Sequence, residues 1–354
     1  IGEGEAVDAE GRRLPAAEAL AGVGIAPLRL QSKEGLALIN GTDGMLGMLC
    51  LACHDALNLC RVADVTAAMS VEALLGTDRP FAEALQSIRP HPGQLASAAN
   101  LTRLLRDSSI KASHRESDHA VQDSYSMRCS PQVAGAARDT LDFARAVAER
   151  ELGSVTDNPV VLPGGQVEST GNFHGEPVAF ACDFLAIAAA EIGAISERRV
   201  DRMLDPKRSA GLPPFLAPDA GVNSGLMIAQ YTAAALVAEN RRLAAPASVD
   251  SIPTSGMQED HVSMGWGAAL KLRTVLENVA RILAVELVAA ARGLDLRAPL
   301  EPGPATASVR ELLRRRVAGP GPDRWLAPEL AAAEEMIRSG AVVERAQQVT
   351  GELR

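Results

Sequence analysis

The alternation of apolar and polar positions is clearest between residues 262 and 292. There Leu272, Leu276, Val279, Leu283, Leu287 and Ala290 step by four, three, four, four and three residues, which makes one stripe along an α-helix. Arg273, Glu277 and Arg281 form an i, i+4 charge ladder beside that stripe. Such a helix has about 30 residues and a length of roughly 45 Å, which belongs to an extended bundle. The same periodicity predicts helices near 41–60, 95–106, 132–151, 177–203, 225–244, 306–317 and 328–338. Helices 177–203 and 225–244 are apolar around most of their circumference, so both are expected at the centre of a bundle or an oligomer. Asp183 and Glu191 interrupt the apolar run 178–195, and this favours a buried helix over a membrane span.

Between the helices the pattern is turn-like. "GEAVDAEGRRL" (4–14) reads as a small hairpin, and Pro15 suits the first turn of a short helix, "PAAEALAG". A second hairpin is expected around Pro163-Gly164-Gly165, and Pro-rich connectors occupy 205–221 and 318–328. The expected fold class is all-α, a long helical bundle with small peripheral β-hairpins. Along the chain it divides into a segment 1–40, a central bundle 41–293 and a C-terminal helical segment 294–354.

Composition sharpens this picture. Only 3% of the 354 residues are aromatic and 47% are hydrophobic, so alanine, leucine and valine fill the interior, which favours close-packed helices over sheets. A formal charge of −9 argues against nucleic acid or an anionic membrane as partner. Of the two basic runs, 197–208 and 312–316, the first is interleaved with Glu197, Asp201 and Asp205 and reads as an ion-paired or intersubunit surface. The five cysteines lie in apolar runs, which suits reduced thiols and a cytoplasmic protein. Cys50, Cys53, His54 and Cys60 sit on one continuous apolar helix with no second cysteine pair to complete a tetrahedron, so no metal is expected there.

Four stretches are more polar than a bundle requires. In "GLALINGTDG" (35–44), Asn40 can cap the following helix or turn its amide into a cavity. In "VQDSYSMRCSPQ" (121–132), Gln122, Tyr125 and Arg128 recur every three residues and would share a helical face, where they could clamp a small carboxylate. The plainer alternative is a polar surface helix. In "TGNFHGEP" (170–177), Phe173 can anchor a loop or wall an apolar pocket, and His174 reads as structural. In "PTSGMQEDHVSMG" (253–265), Thr254 or Ser255 can cap the long helix, with Glu259 and Asp260 near its positive end. That account leaves Gln258 and His261 unexplained.

Taken together, in this order and spacing, these stretches resemble the aromatic amino-acid ammonia-lyase and aminomutase family. The resemblance is carried by "SIPTSGMQEDHVSMGW", "DSYSMRCSPQV", "TDNPVV", "GNFHGEPVA", "ISERRVDRMLD" and "GVNSGLMIAQYTAAAL", and it runs over nearly the whole chain. It implies a helical homotetramer with active sites shared between subunits. It also implies an electrophilic prosthetic group, 4-methylideneimidazole-5-one (MIO), cyclised from an Ala-Ser-Gly triad. The chain contains no such triad; Thr254-Ser255-Gly256 is followed by Met-Gln-Glu-Asp rather than the family's sequence. The resemblance therefore corresponds to roughly the C-terminal two-thirds of the family's enzyme. The MIO, a loop tyrosine assigned as base and a substrate-reading histidine would come from an upstream segment, without which this chain alone is expected to be inactive.

By the same resemblance, Asn40 would orient the MIO or the substrate, and Gln122, Tyr125 and Arg128 would form the polar wall, with Arg128 on the substrate carboxylate. Phe173 would close the apolar side. Gln258 and Glu259 would face the substrate side chain, while Asp260 and His261 support the start of the helix. Met257 departs from the asparagine found in many relatives. An acidic partner suits a basic ring, so the expected reaction is loss of ammonia from L-histidine to give urocanate, with no metal. Deamination of tyrosine or phenylalanine and a 2,3-aminomutase reaction are the alternatives within the family. A catalytically silent assembly subunit is the alternative of another class. The fumarase and argininosuccinate-lyase group ranks last, because its Gly-Ser-Ser signature loop is absent.

Overall fold

A computed structural model describes residues 1–116 and 121–354. Among them helices dominate, and the only sheets are two antiparallel two-stranded hairpins. The first hairpin pairs β1 (Glu5–Val7) with β2 (Arg13–Pro15) and leads into α1 (Ala16–Gly22) and the single turn α2 (Glu34–Ala37). Then comes α3 (Asp43–Ala73), followed by α4 (Glu83–Gln86), α5 (Pro92–Leu104), α6 (Ser109–Ser113) and α7 (Tyr125–Arg128). Helix α8 (Ser130–Leu152) precedes the second hairpin, β3 (Val160–Val161) with β4 (Val167–Glu168). The remainder is α9 (Glu176–Leu204), α10 (Met227–Leu243), α11 (Gly265–Asp295), α12 (Pro304–Arg314), α13 (Ala327–Arg338) and α14 (Ala341–Thr350).

Compactness divides the chain into two units. One joins Ile1–Asp43 to Ser154–Gly175 and holds both hairpins; the other holds Gly44–Gly153 and Glu176–Arg354. In the larger unit α11 packs most extensively on α9, which also meets α8 and α10, and α5 lies along α8. The whole predicted stripe of α11 is buried. The α5–α8 crossing is so close that a Cβ on Gly93 would stand 2.2 Å from the Gly135 carbonyl oxygen, so only glycine fits there.

Three expectations need correction. The helix expected at 41–60 continues to Ala73, because Asp64, Thr66, Ser70 and Glu72 break its apolar pattern yet are all buried. Neither α9 nor α10 is buried around its circumference within the chain: α9 leaves Phe180, Phe184 and Ile187 exposed, and α10 buries only Ala229, Ala233 and Asn240, with Ile228 and Tyr231 exposed. The charge ladder is half formed, since Arg281 pairs with Glu277 at 4.0 Å but Arg273 turns to Asp55 on α3. Helix α14 was not anticipated; its ten residues bury only Val342, Val343 and Ala346, too few to make a readable stripe.

Two networks of buried polar residues tie elements together. Asp64 accepts from Ser97 Oγ at 2.5 Å, Asn100 Nδ2 at 2.8 Å and Arg138 Nη2 at 2.6 Å, which ties α3 to α5 and α8. Glu286 of α11 is wholly enclosed. It accepts from Thr66 Oγ1 (2.8 Å), Ser70 Oγ (2.7 Å), Ser196 Oγ (2.7 Å) and Arg199 Nη2 (2.9 Å), and also from Arg199 Nε. Arg199 is thus an exception within the basic run 197–208, where Arg198 and Arg208 pair with Glu197, Asp201 and Asp205 as the interleaving suggested. On α3, burial pushes the Cys53 and Cys60 thiols up to about 11, so neither is a ready thiolate ligand.

Two outcomes follow. Replacing Asp64 with alanine leaves Arg138 charged and buried without its partner, and should cost about 3–5 kcal/mol in urea unfolding; a loss below about 1 kcal/mol would contradict the pairing. Glu72 is enclosed beside the Gly303 amide, and its carboxyl is raised by burial against the opposing pull of Thr306, Ser108, Gly303 and Lys111. The unfolded chain releases this proton first as pH rises from the ordinary value, so the stability Glu72 contributes at low pH is lost as pH climbs through the raised folded value. Glu72→Gln cannot ionise, and its melting temperature should gain on the wild type progressively above about pH 5. Parallel pH profiles for the two proteins would contradict this.

Candidate active site

Tyr125 and Arg128 share the single turn α7. Its N-terminal neighbour Ser124 is extended (φ −61°, ψ 155°), so Gln122 lies before the helix and not on a common helical face with the other two. That is a correction to the expected three-residue spacing. Gln122 instead lines a polar cavity of about 260 Å³ together with Asp78, Lys111 and Asp123. The guanidinium of Arg128 stands over the Tyr125 ring, 4.8 Å from its centre. Tyr125 is 72% exposed, whereas Arg128 is half-buried and its Nε, like those of Arg61 and Arg138, lies out of solvent with no hydrogen-bond acceptor among the described residues. A charged N–H removed from water without a partner is unfavourable unless a ligand supplies the acceptor.

Gln258 and Glu259 lie on the loop between α10 and α11, both exposed. Contrary to the expectation from the sequence, Thr254 and Ser255 do not cap the long helix. Helix α11 begins at Gly265, after Met264 in the left-handed region (φ 53°). Residues 255–257 form a 3₁₀ turn, closed by a bridge between Thr254 and Glu259, and Ser255, Gly256 and Met257 all have positive φ. Non-glycine residues held there are strained, and the surroundings must enforce the shape. Asp183 does so at the near end, accepting from the Ala247 and Ser248 amides at 2.8 Å each and pairing with Lys271 at 3.0 Å. Ser251 Oγ does so at the far end, accepting from the Val262 amide at 2.9 Å. Within the loop the Thr254 hydroxyl donates to Glu259 Oε2, which fixes the carboxylate's orientation.

Asn40 and Phe173 belong to the smaller unit. Asn40 is half-buried, and its backbone amide closes the turn of α2 onto the Leu36 carbonyl at 2.9 Å. It lies three residues before α3 begins at Asp43, so it is not that helix's cap. Phe173 is 37% exposed on its loop. Among the described residues, no hydrogen bond joins the Tyr125–Arg128 pair to Gln258 or Glu259. The polar residues behind α7, namely Arg199, Ser130 and Glu286, were not singled out from the sequence. The signal was present: Ile192, Ser196, Arg199 and Met203 step by four, three and four residues, which puts a charge on the buried stripe of α9.

The geometry alone leaves the class open, and comparison with known proteins supplies it. The family model described as aromatic amino acid lyase matches residues 1–315. The chain is 61% identical over 355 residues to the histidine ammonia-lyase of Streptomyces coelicolor, and 62% over 356 residues to that of Streptomyces griseus. Each alignment covers 100% of this chain and 69% of the relative. Among solved structures, tyrosine aminomutase from Streptomyces globisporus superposes with a TM-score of 0.92 at 40% identity, covering 100% of this chain and 71% of that one. Histidine ammonia-lyase from Trypanosoma cruzi gives 0.89 at 41%, covering 99% and 67%. The chain belongs to the aromatic amino acid lyase family.

If Arg128 is kept for a ligand and not for the fold, Arg128→Met should stay within about 1 kcal/mol of the wild type in ligand-free unfolding, since the cation–π contact it loses is worth about that much. A loss of about 3 kcal/mol or more would make Arg128 a structural residue.

Proposed function

We propose that this chain serves the non-oxidative elimination of ammonia from L-histidine, giving urocanate and ammonium. The observation that carries the reading is Arg128 beside the exposed Tyr125, its Nε buried and without an acceptor among the described residues, in a family of amino acid lyases. An α-carboxylate supplies the missing acceptor, and a guanidinium can hold it through two parallel charge-assisted bonds. The choice of histidine is supported by the names of the relatives at 61% and 62% identity. Glu259 supports it too: a carboxylate already oriented by Thr254 suits an imidazole N–H.

The family is the MIO-dependent class. With no Ala-Ser-Gly in the chain, its residues would surround the group and not form it. They fit that task chemically, because Asn40, Gln122, Tyr125, Arg128, Gln258 and Glu259 include no thiol or amine to trap an electrophile. Asn40, a neutral amide, would be the residue beside it. When bound, the group supplies the electrophile that ammonia loss requires. What the chain's own residues contribute is position. Arg128 fixes the carboxylate, and Glu259 and Gln258 orient the ring. The β-proton then has to leave to a base while the substrate is held at both ends; Tyr125, whose phenol is exposed beside Arg128, is the proton-handling group this chain offers.

We extend the reading to a homotetramer with shared sites. The exposed apolar residues Phe143, Phe180, Phe184, Ile187, Ile228 and Tyr231 on α8, α9 and α10 support it. Cytoplasmic location is part of the same proposal, supported by five free cysteines.

The test is product formation from L-histidine, L-tyrosine and L-phenylalanine by the enzyme made from the full coding sequence. Histidine-selective urocanate formation is expected, with Glu259→Gln raising KM for histidine by roughly tenfold, the loss of about one charge-assisted bond. A cinnamate-type or β-amino acid product would keep the family and overturn the substrate. No product from any of the three would overturn catalysis in favour of an assembly role.

A further inference from the structure

Arg199 and Glu286 lie away from solvent, at 1% and 0% exposure, and the reading above gives them no task. A buried ion pair of this kind is weak evidence for stability, because well-packed apolar residues often replace it without loss. What it specifies is geometry. Glu286 fills the inner side of the guanidinium, through Nε and Nη2. The outer nitrogen, Nη1, donates to the backbone carbonyl of Ser126 at 3.2 Å and to Ser130 Oγ at 3.4 Å. Ser130 Oγ in turn donates to the same Ser126 carbonyl at 3.1 Å.

Ser126 sits between Tyr125 and Arg128 on α7, and Ser130 opens α8. One nitrogen therefore grips both sides of the junction from which the Tyr125–Arg128 pair projects. A four-residue helix has too few internal bonds to hold its own orientation. Its angle is set from behind, by a rigid guanidinium that α3, α9 and α11 jointly hold through Glu286.

We infer that Arg199 is a positioning residue for carboxylate recognition: held by Glu286, it fixes the Ser126–Ser130 junction and so the place at which Arg128 meets the substrate carboxylate. This rests on the reading of Arg128 as the carboxylate partner. Displacing a recognition group by about 1 Å can cost up to 100-fold, without any change in the group itself.

The experiment uses the full-length enzyme and three ligands: L-histidine, imidazolepropionate, which keeps the carboxylate, and histamine, which lacks it. Arg199→Met alone strands Glu286 and can fail to fold, so the informative variants are the double replacement Arg199→Met/Glu286→Leu and the conservative Arg199→Lys. The double variant should raise KM for histidine and the inhibition constant of imidazolepropionate by about tenfold or more. The inhibition constant of histamine should stay within about twofold. Arg199→Lys, whose point charge can face Glu286 but cannot also bridge the junction, should fall on the same side as the double variant. Equal weakening of histamine would make the role a general structural one and overturn the inference, as would unchanged carboxylate binding in a folded double variant. Arg128→Met serves as the control. If it treats ligands with and without the carboxylate as the wild type does, the carboxylate reading itself fails and the inference with it; if it loses the distinction while the Arg199 variants keep it, only the inference fails.

Discussion

A single carboxylate sets the interior of the larger unit. Glu286 reaches the centre of the bundle from α11 and receives donors from α3 and α9, five N–H and O–H groups in all. Taking an ion out of water costs several kcal/mol, and that cost is recovered only if nearly every lone pair finds a donor at good geometry. Few combinations of rotation and axial shift bring Thr66, Ser70, Ser196 and Arg199 onto the same two oxygens. Apolar stripes alone would allow these alanine-rich helices to slide against each other; the carboxylate does not. A bundle with only 3% aromatic residues gains most from such a device, because it has few large side chains to interlock.

The same principle separates structural from functional charge in this molecule. Asp64 with Arg138, Asp183 with Lys271 and Glu286 with Arg199 are enclosed and partnered. Arg128 is the contrast: its Nε, like those of Arg61 and Arg138, is buried with no acceptor among the described residues, but unlike Arg138 it has no carboxylate partner among them and stands over the exposed Tyr125 ring. The loop carrying Gln258 and Glu259 departs in another way, through positive φ at Ser255, Met257 and Met264. Strain and an orphaned donor both reduce stability, and both occur on segments to which a binding role is assigned, although positive φ also marks Leu75, Asp107, Ala210 and Phe215 elsewhere in the unit.

Much of the fold was legible because it rests on periodicity. The stripe from Leu272 to Ala290, the existence of α9 as a long helix with a buried face, and both hairpins follow from spacing and turn chemistry. Legibility failed where a buried polar residue stands in for an apolar one. Asp64 and Glu72 end the readable pattern of α3 too early, although the helix continues through them, and Arg199 read as part of an ion-paired or intersubunit basic run. Local reading also placed Gln122 on a helix that Ser124 prevents from extending that far, and it made caps of Thr254 and Ser255 where left-handed backbone intervenes. These outcomes depend on tertiary partners many residues away, such as Glu286 for Arg199 or Asp183 for the loop. The candidate site was legible as residue types in a family pattern, and its supporting residues were not.

The central claim is that Arg128 and Glu259 hold the two ends of an imidazole amino acid. The measurement that tests it most directly is a crystal structure of the full-length enzyme with a non-reactive histidine analogue bound. The analogue's carboxylate is expected within hydrogen-bonding distance of the Arg128 guanidinium, with its imidazole facing the Glu259 carboxylate. A carboxylate held by another cation, with Arg128 still lacking an acceptor, would contradict it.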